Sequence, residues 1–444
     1  MSIQELYQLY KQHPVITTDS RNCPEDSIFF ALKGASFDGN KFAAQALADG
    51  CAYAVIDNME YMVDGDERYI FVDDTLKTFK LLAREHRRQF NIPVIGITGT
   101  NGKTTTKELL AAVLSEKFNV MATEGNFNND VGVPKTLFRL NEKHEVAIIE
   151  MGASHPGDIK TLAETAEPTC GLITNVGMAH LQGFGSLKGV IKTKSELYRY
   201  LSSREESTVF INADNEMLLE VLPDNVWVTP YSANEKNAED CIIGKVVSCS
   251  PFLSMKWHKP LNELADNGEE MMWYHIDTKL IGKYNIDNLL AAIAVGVNFG
   301  VEPEKICHAL ANYEPKNNRS QLTVTERNKL IVDAYNANPT SMLAALDNFE
   351  QMEVENKMAI IGQMNELGNS SDEEHRRIVN RIRQMKLTNV WLVGEAYEPI
   401  KCHYRKFKNV EEVKNALTEN PPHDSFILIK GSNGMKLYEL PELL

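Results

Sequence analysis

The sequence has no long apolar run and no sign of an export signal. Nowhere does an uninterrupted apolar run approach the roughly 18 residues of a membrane-spanning helix. The first residues, MSIQELYQLYKQHP, also lack the basic stretch and apolar core of a signal peptide. The sequence therefore predicts neither a signal peptide nor membrane insertion, and we expect a cytoplasmic protein.

Paired cysteines and an excess of positive charge are also missing. The seven cysteines form no C-x-x-C pair and are odd in number, which is typical of reduced thiols in a cytosolic protein. The formal net charge is −15, whereas nucleic-acid backbones attract clustered Lys and Arg. We therefore expect no nucleic-acid partner. An anionic small-molecule substrate is not excluded, because a site can be locally basic.

The chain lacks internal repeats, low-complexity tracts and long flexible linkers. Its 444 residues are too many for one hydrophobic core, and a usual domain size of roughly 150 residues predicts about three domains. Strand and helix patterns alternate, which predicts an α/β fold with a central P-loop-type, mostly parallel sheet and a C-terminal doubly wound, Rossmann-like domain. The predicted domains are residues 1–90, 91–312 and 313–444.

The segment VIGITGTNGKTTTKELL, residues 94–110, carries the main functional signal. A β-branched apolar run predicts a buried strand, a glycine-containing turn follows, and a helix is predicted to begin at Lys103. In this context, backbone N–H groups cradle phosphates, the lysine reaches further phosphate oxygens and the Thr104 hydroxyl is held for Mg²⁺. The usual spacing requires glycine where this chain has Ile97. An ordinary strand-to-helix turn is the alternative.

Polar residues at other strand ends suggest further parts of a site, because ligands of such sheets bind beyond the carboxyl ends of the strands. Glu150 and Asn175 both end predicted strands, and a carboxylate is costly to bury unless it meets a cation. A magnesium ligand is the natural interpretation of Glu150, with an exposed acid as the alternative. His180, in a glycine-rich loop, is either a ligand or structural. Lys194, on a predicted helix, is explained by default as part of a charged surface.

Two further groups of polar residues lie on turns. In the first predicted domain, Asp19-Ser20-Arg21, Lys33-Gly34 and Asp38-Gly39 suit anion or nucleotide recognition, although turn chemistry alone would also explain the glycines. In the third, Asn338-Pro339 predicts a turn and helix start. This turn leaves the nearby strand-end Asp333 unexplained, and a strand-end acid is a common partner of ribose hydroxyls.

Seven segments of the chain together resemble the Mur ligase family, the ATP-dependent amide-bond-forming enzymes of peptidoglycan precursor synthesis. The resemblance spans all three predicted domains, and the loop GTNGKTT is the family's own form of the phosphate loop, which accounts for Ile97. The segments are GTNGKTT (99–105), TEGNFNNDVGVPKTL (123–137), EMGASHPGDI (150–159), TNVGMAHLQGFGS (174–186), DAYNANPTSM (333–342), GQMNELG (362–368) and IKGSNGMKL (429–437). They look most like the family's ligases that add D-alanyl-D-alanine to UDP-N-acetylmuramoyl-tripeptide.

The resemblance implies ATP and two Mg²⁺ ions as cofactors, and it assigns roles residue by residue. The implied ATP-binding residues are Gly99, Thr100, Asn101, Gly102, Lys103, Thr104, Thr105, Asn285, Asn288, Arg319, Asp333 and Tyr335. The implied metal ligands are Thr104, Glu150, His180 and Lys194, and Lys194 is expected to be N6-carboxylated by CO₂. The implied catalytic residues are Lys103, His180 and Lys194. The implied substrate-binding residues are Ser20, Arg21, Lys33, Gly34, Asp38, Asn128, Asn129 and Asn336.

The resemblance also implies a mechanism in which the tripeptide carboxylate attacks the γ-phosphate of ATP. The amine of D-alanyl-D-alanine then displaces phosphate from the acyl phosphate, in a monomeric enzyme. Three positions differ from the family pattern, namely Asn318, Val332 and Gln363. The alternatives are another ligase of the family, either one that adds the third stem residue or one like folylpolyglutamate synthase, and a P-loop ATPase or binding module that does not ligate.

Overall fold

The computed structural model describes residues 1–34, 36–178, 181–268, 270–315 and 319–444, which form two compact units. Unit 1 contains Met1–Gly96, Asn119–Gly152 and Asp158–Thr169, and unit 2 contains Ile97–Phe118, Ala153–Gly157 and Cys170–Leu444. Among the described residues, no helix combines the length and the apolar character needed to cross a membrane.

Unit 1 begins with a four-stranded parallel sheet in the order β1-β2-β3-β4. Its elements are α1 (Ile3–Gln12), β1 (Ile16–Thr17), β2 (Ile28–Phe30), α2 (Ala43–Ala48), β3 (Tyr53–Ile56), β4 (Tyr69–Phe71) and α3 (Thr75–Arg87). A capping box between Ser2 and Glu5 starts α1. The core contains Leu6, Phe30 and Phe79, from α1, β2 and α3. The sequence predicts a short helix at the start of this region and a helix from about Leu76 to Phe90, and α1 and α3 confirm both predictions.

The chain then builds a second α/β region. Strand β5 (Val94–Thr98) begins in unit 1 and ends in unit 2, where α4 (Lys103–Ser115) follows it. Back in unit 1 lie β6 (Val120–Ala122), α5 (Gly132–Leu137), β7 (Val146–Glu150) and α6 (Asp158–Ala166). Strands β6 and β7 are parallel, and β7 is buried along its whole length. The backbone N–H of Ala147 donates to the Pro93 carbonyl, so β7 runs beside the start of β5.

Unit 2 contains three parallel strands of its own. The elements are β8 (Cys170–Ile173), α7 (Leu181–Phe184), α8 (Leu187–Lys194), α9 (Glu196–Ser202), β9 (Thr208–Asn212), α10 (Glu216–Leu219) and β10 (Trp227–Ser232). The sequence predicts one helix near 187–201, whereas the structure divides it at Ser195. The Ser195 hydroxyl donates to the Lys192 carbonyl and accepts from Arg199, and such serine bonds to the backbone compete with helix continuation.

The sequence predicts an antiparallel excursion between about residues 226 and 281. The structure contains one that starts later, at Ile242, because β10 is still parallel to β9. Its elements are β11 (Ile242–Cys249), β12 (Phe252–His258), α11 (Leu261–Asn267) and β13 (Tyr274–Ile281), followed by α12 (Ile286–Asn298) and α13 (Pro303–Asn312). Strand β11 is parallel to β10, while β11–β12 and β12–β13 are antiparallel. Helix α11 is not predicted by the sequence, since it has only seven residues. Helix α12 packs against α4 and ends before Gly300, whose φ is +68°.

The C-terminal region forms a six-stranded sheet in the order β14-β15-β19-β16-β17-β18 once its elements are numbered along the chain. The elements are β14 (Gln321–Val324), β15 (Asn328–Asp333), α14 (Pro339–Gln351), β16 (Lys357–Gly362), α15 (Ser371–Gln384), β17 (Asn389–Val393), β18 (Arg405–Phe407), α16 (Val410–Glu419) and β19 (Ser425–Lys430). Only the edge strand β14 is antiparallel among the described pairs.

Hydrophobic clusters lie on both faces of this sheet, which is what the predicted doubly wound fold requires. Ile331 belongs to one cluster with Leu346 and Ile378, while its neighbour Val332 belongs to the other with Val413. The α/β fold class is therefore confirmed. The domain boundaries at 90 and 312 stay a prediction.

Candidate functional site

The turn between β5 and α4 depends on two glycines. Gly99 and Gly102 have φ values of +146° and +79°, in the region that side chains other than glycine rarely adopt. A Cβ on Gly99 would lie 2.0 Å from Thr174 Oγ1, and one on Gly102 would lie 2.5 Å from Asn288 Oδ1. Gly102 caps α4 and no side chain caps the helix. The turn therefore has the form of an anion-binding helix N-terminus.

Residues that follow β8 hold this loop in shape. Asn175 accepts the N–H of Thr100 on its backbone oxygen at 2.9 Å and the N–H of Asn101 on Oδ1 at 3.0 Å. The Asn101 carbonyl in turn accepts from Asn175 Nδ2 at 3.0 Å and from Thr174 Oγ1 at 2.6 Å. The sequence predicts Asn175 only as a strand-end residue. Its contacts make it part of the loop's support.

Lys103 lies across the loop that it follows. Its ammonium donates to the carbonyl oxygens of Gly99 at 2.9 Å and Thr100 at 3.2 Å. Thr104 is buried and Thr105 is half-buried, both in the first turn of α4. Residues 99–105, which are predicted to bind ATP, therefore form a loop and a helix start, and the Lys103 ammonium lies across the loop.

Asn285 and Asn288 lie behind the same loop. Both are buried, and the hydroxyl of Thr106 in α4 donates to Asn288 Oδ1 at 3.1 Å. The sequence places these asparagines at the ATP site only through the family resemblance. Their hydrogen bonds within the protein connect them to α4, and their contact with ATP stays a prediction.

Glu150, in unit 1, is a deeply buried carboxylate at the end of β7. Its exposed fraction is 1%, its backbone N–H donates to Thr123 Oγ1, and its Oε1 accepts from Asn128 Nδ2 at 2.9 Å. Asn128 was expected to face substrate, whereas this bond also makes it a support for Glu150. The neighbouring Asn129 accepts from the N–H of Gly132 at 2.8 Å and so shapes the start of α5.

Lys194 is buried at the end of α8, with an exposed fraction of 2%. The default prediction, that this lysine belongs to a charged surface, is therefore wrong. Its Nζ lies 5.8 Å from the centroid of the Phe184 ring. His180, the other residue assigned to the second metal ion, lies outside the described residues. Within the described part of the chain, no three His, Cys, Asp or Glu side chains form a metal-binding group by themselves.

The C-terminal region brings two predicted ATP residues together. The guanidinium carbon of Arg319 lies 3.9 Å from the centroid of the Tyr335 ring, a stacked cation–π geometry. Arg319 Nε is buried and has no hydrogen-bond partner among the described residues. Asn318, one of the departures from the family pattern, lies outside the described residues.

Asp333 is paired with Lys430, a lysine that has no role predicted from the sequence. Lys430 Nζ donates to Asp333 Oδ2 at 2.6 Å and to the Asn336 carbonyl at 3.4 Å, and Lys430 is only 1% exposed. The two residues end β15 and β19, which are adjacent parallel strands. The only sequence signal for Lys430 is its place at a strand end within IKGSNGMKL.

The segment GQMNELG follows β16 at the same sheet edge. The N–H of Asn365 donates to Ser432 Oγ at 2.9 Å, and the N–H of Ser432 donates to the Gln363 carbonyl at 3.2 Å. The N–H of Met364 donates to Nε2 of the buried His375 at 2.9 Å. Burial lowers the pKa of His375, which favours the neutral ring that this acceptor role requires. The segment is thus tied to both β19 and α15.

Unit 1 contains the turns predicted to hold a nucleotide sugar. Arg21 Nε and Nη2 donate to the two oxygens of Asp19 at 2.9 and 2.8 Å, and this pairing lowers the pKa of Asp19 to about 2. The Arg21 side chain is largely exposed. Ser20, between them, is half-buried.

The second predicted turn is organised around Asp57, a residue that has no role predicted from the sequence. Lys33 Nζ lies 2.9 Å from Asp57 Oδ1, and Asn40 Nδ2 donates to the same oxygen at 2.8 Å. Burial raises the pKa of Asp57, but these bonds and the N–H of Thr75 outweigh burial and lower it. Asp38 accepts from Asn40 N and Nδ2. Gly34 closes the turn by donating to the Phe37 carbonyl.

Comparison with known proteins covers nearly the whole chain. The profiles described as "Mur ligase family, catalytic domain", "Mur ligase middle domain" and "Mur ligase, glutamate ligase domain" match residues 14–87, 97–296 and 318–433. The UDP-N-acetylmuramoyl-tripeptide--D-alanyl-D-alanine ligase of Bacillus subtilis (strain 168) is 32% identical over 445 residues, which cover 96% of this chain and 92% of that protein.

Two solved structures have the same architecture. MurF from Acinetobacter baumannii superposes with a TM-score of 0.87 at 28% identity and covers 99% of this chain and 97% of its own. MurF ligase from Thermotoga maritima, solved in complex with ADP, has a TM-score of 0.83 at 24% identity and covers 97% and 96%. The three Mur ligase profiles together match most of the chain, and the B. subtilis ligase aligns with it over almost the full length of both proteins. The chain therefore belongs to the Mur ligase family.

Proposed function

We propose that the protein is an ATP-dependent ligase that joins D-alanyl-D-alanine to UDP-N-acetylmuramoyl-tripeptide in peptidoglycan precursor synthesis. The observation that carries the proposal is the contact between the phosphate loop and the YNANP segment, where Asn338 Nδ2 donates to Asn101 Oδ1 at 2.7 Å. This contact joins the loop that is proposed to bind ATP to the segment that resembles the ligases adding the dipeptide. The B. subtilis relative carries the name of this activity.

ATP would bind with its phosphates at residues 99–105. The uncapped start of α4 supplies N–H donors, and the Lys103 ammonium already spans the loop. Arg319, held in place by the Tyr335 ring, would face the anionic phosphates from the C-terminal region. Together the Lys103 and Arg319 side chains would stabilise the negative charge that develops when a phosphoryl group is transferred.

The residues present fit Mg²⁺ in their donor chemistry, because Mg²⁺ prefers oxygen ligands. Thr104 and Glu150 supply a hydroxyl and a buried carboxylate, and they would hold one ion. His180 and Lys194 would hold the second, with Lys194 carboxylated on Nζ by CO₂ to give an anionic oxygen ligand. Bound Mg²⁺ would neutralise negative charge on the phosphates during transfer.

The reaction would proceed in two displacements. A carboxylate oxygen of the tripeptide attacks the γ-phosphorus of ATP, the bond to the β-phosphate breaks and ADP leaves. The dipeptide amine then attacks the acyl carbon and loses a proton. The bond between the acyl carbon and the bridging oxygen breaks, and phosphate leaves with that oxygen. Lys103 and Arg319 would stabilise the anionic oxygens in these steps, so the protein need not supply a covalent nucleophile.

The nucleotide end of the other substrate would bind to unit 1. Ser20 and Arg21 on one turn, and Lys33, Gly34 and Asp38 on the next, are the proposed contacts. The exposed Arg21 guanidinium is suited to a diphosphate. Asn128, Asn129 and Asn336 are proposed to contact the rest of the substrates. We further infer a monomer acting in the cytoplasm, where ATP is supplied.

Phosphate release from ATP tests the proposal. The purified protein is assayed with UDP-N-acetylmuramoyl-tripeptide, with and without D-alanyl-D-alanine, and the new amide is detected by mass spectrometry. Sustained release that depends on both substrates is expected. Phosphate release that does not depend on D-alanyl-D-alanine would contradict the assignment and favour another ligase of the family or a non-ligating ATPase.

The carboxylation of Lys194 has its own test. After incubation with ¹³C-bicarbonate, a carbamate carbon signal is expected in the protein and in Lys188→Ala, a change at an exposed lysine of the same helix. Lys194→Ala is expected to lose the signal and most activity, and bicarbonate should not restore it. A fully active Lys194→Ala variant would remove the argument.

A further inference from the structure

A continuous row of hydrogen bonds runs through the protein behind the phosphate loop. Asn285 Nδ2 donates to the Ile281 carbonyl at 2.8 Å, and Asn288 Nδ2 donates to Asn285 Oδ1 at 2.8 Å. Thr106 Oγ1 then donates to Asn288 Oδ1 at 3.1 Å. The row therefore begins at the end of β13, crosses the start of α12 and ends in α4.

All three side chains of this row are enclosed. The exposed fractions are 3% for Asn285, 7% for Asn288 and 0% for Thr106. Buried polar groups of this kind are costly unless paired, and here the pairing partners are protein atoms. The side chains are thus occupied in holding two helices together.

The row meets the loop at Gly102. The Thr106 N–H donates to the Gly102 carbonyl at 2.8 Å, so the threonine that binds Asn288 also closes the first turn of α4 onto the glycine. A Cβ on Gly102 would lie only 2.5 Å from Asn288 Oδ1. The asparagine amide therefore packs directly against the backbone whose N–H groups are proposed to bind the phosphates.

We propose that Asn288, supported by Asn285, is a positioning residue that holds the phosphate loop and the start of α4 in their binding shape through Thr106 and Gly102. This inference rests on the proposed binding of ATP at the loop. It differs from a direct contact between Asn288 and the adenine side of ATP, because the effect passes through α4 and is present before nucleotide binds.

Hydrogen–deuterium exchange of the protein without nucleotide separates the two roles. In Asn288→Ala, backbone exchange over residues 99–106 should be about tenfold faster, since the hydrogen bond from Thr106 and the packing of the amide against Gly102 are lost. Thr106→Val, which removes the hydroxyl at similar volume and is too buried to touch a nucleotide, should have the same effect. Asn298→Ala, at an exposed asparagine near the end of α12, is the control and should leave exchange unchanged.

Binding of Mg-ADP, measured by calorimetry without either ligase substrate, extends the test. Asn288→Ala and Thr106→Val should each weaken ADP by about tenfold, and the double variant should lose less than the product of the two, because both act on one bond. Steady-state assays should show an unchanged preference for ATP over GTP, since the base is not contacted through this row.

The inference is overturned if exchange over residues 99–106 in Asn288→Ala matches the wild-type protein. It is also overturned if only the asparagine variant loses affinity and its ATP-to-GTP preference changes, which would indicate a base contact. If Asn288→Ala does not fold, Thr106→Val decides the matter by itself. Because exchange and ADP binding need no dipeptide, failure of the proposed ligation would leave these readouts intact.

Discussion

Asn338 uses the two ends of its side-chain amide for two different tasks. Its Oδ1 accepts from the N–H of Ser341 at 2.9 Å and caps α14, while its Nδ2 donates to Asn101 Oδ1 at 2.7 Å. The backbone of Asn101 is in turn held by Asn175. The start of a C-terminal helix is thus bonded directly to the phosphate loop, 237 positions away in the sequence. A substitution in either segment should therefore alter the position of the other.

The first prediction separates these two tasks. Asn338→Ser keeps a capping oxygen but cannot reach Asn101, so thermal stability should change little while kcat/KM for ATP falls about tenfold. The matched control is Asn409→Ala, which removes the N-cap of α16. It should cost about 1 kcal/mol of stability without affecting kcat/KM. Full activity of Asn338→Ser would show that the contact has no functional role.

The second prediction concerns the bond between Asn128 and Glu150. Asn128→Ala should raise the Mg²⁺ concentration for half-maximal activity by about tenfold, because partners that orient a metal-binding carboxylate have effects of this size. The KM for the nucleotide sugar should move less. Asn126→Ala, at an exposed position of the same loop, is the control. An unchanged Mg²⁺ dependence in Asn128→Ala would argue against Glu150 as a metal ligand.

The third prediction concerns the Asp333–Lys430 pair. Lys430→Met leaves the half-buried Asp333 carboxylate without its cation, and we expect a loss of about 3 kcal/mol in the free energy of unfolding. The double variant Lys430→Met with Asp333→Asn should recover part of that loss, because no unpaired charge remains. Urea denaturation followed by circular dichroism measures both. Equal losses in the single and double variants would show that the charge is not the cause.

The fourth prediction is a pH dependence set by Asp287, in the first turn of α12. Burial, and then the nearby charge of Asp214, raise its pKa from 3.8 to about 6. The folded protein therefore holds a proton between about pH 4 and 6 that the unfolded chain releases, and stability falls as pH rises through this window. At 1.36 kcal/mol per pH unit, the ionised Asp287 lowers the free energy of unfolding by about 3 kcal/mol above pH 6.

Asp287→Asn removes this charge and should be more stable than the wild-type protein at pH 8 but not at pH 4. Melting temperatures of both proteins across that range give the comparison. A difference in stability that does not vary with pH would contradict the assignment. Asp240→Asn, at an exposed acid, serves as the control.

The local features of the site were predictable because each depends on neighbours in sequence. The apolar run before Gly99, the glycines at 99 and 102 and the helix starting at Lys103 are dictated by burial, backbone freedom and helix initiation. The strand ends at Glu150 and Asp333 followed from the same periodicity. The split at Ser195 and the short helix α11 were missed, since side-chain bonding and short length leave little periodic signal.

The sequence by itself therefore determined most of the elements, the phosphate loop and the family resemblance. Only the tertiary structure decided which polar side chains support that loop. Asn175, Asn288 and Asn338 reach it from 74 to 237 positions away, and Lys430 meets Asp333 across 97. Such pairs depend on how sheets and helices pack, because a buried amide or ammonium must find its partner in space. No spacing along the chain encodes that choice.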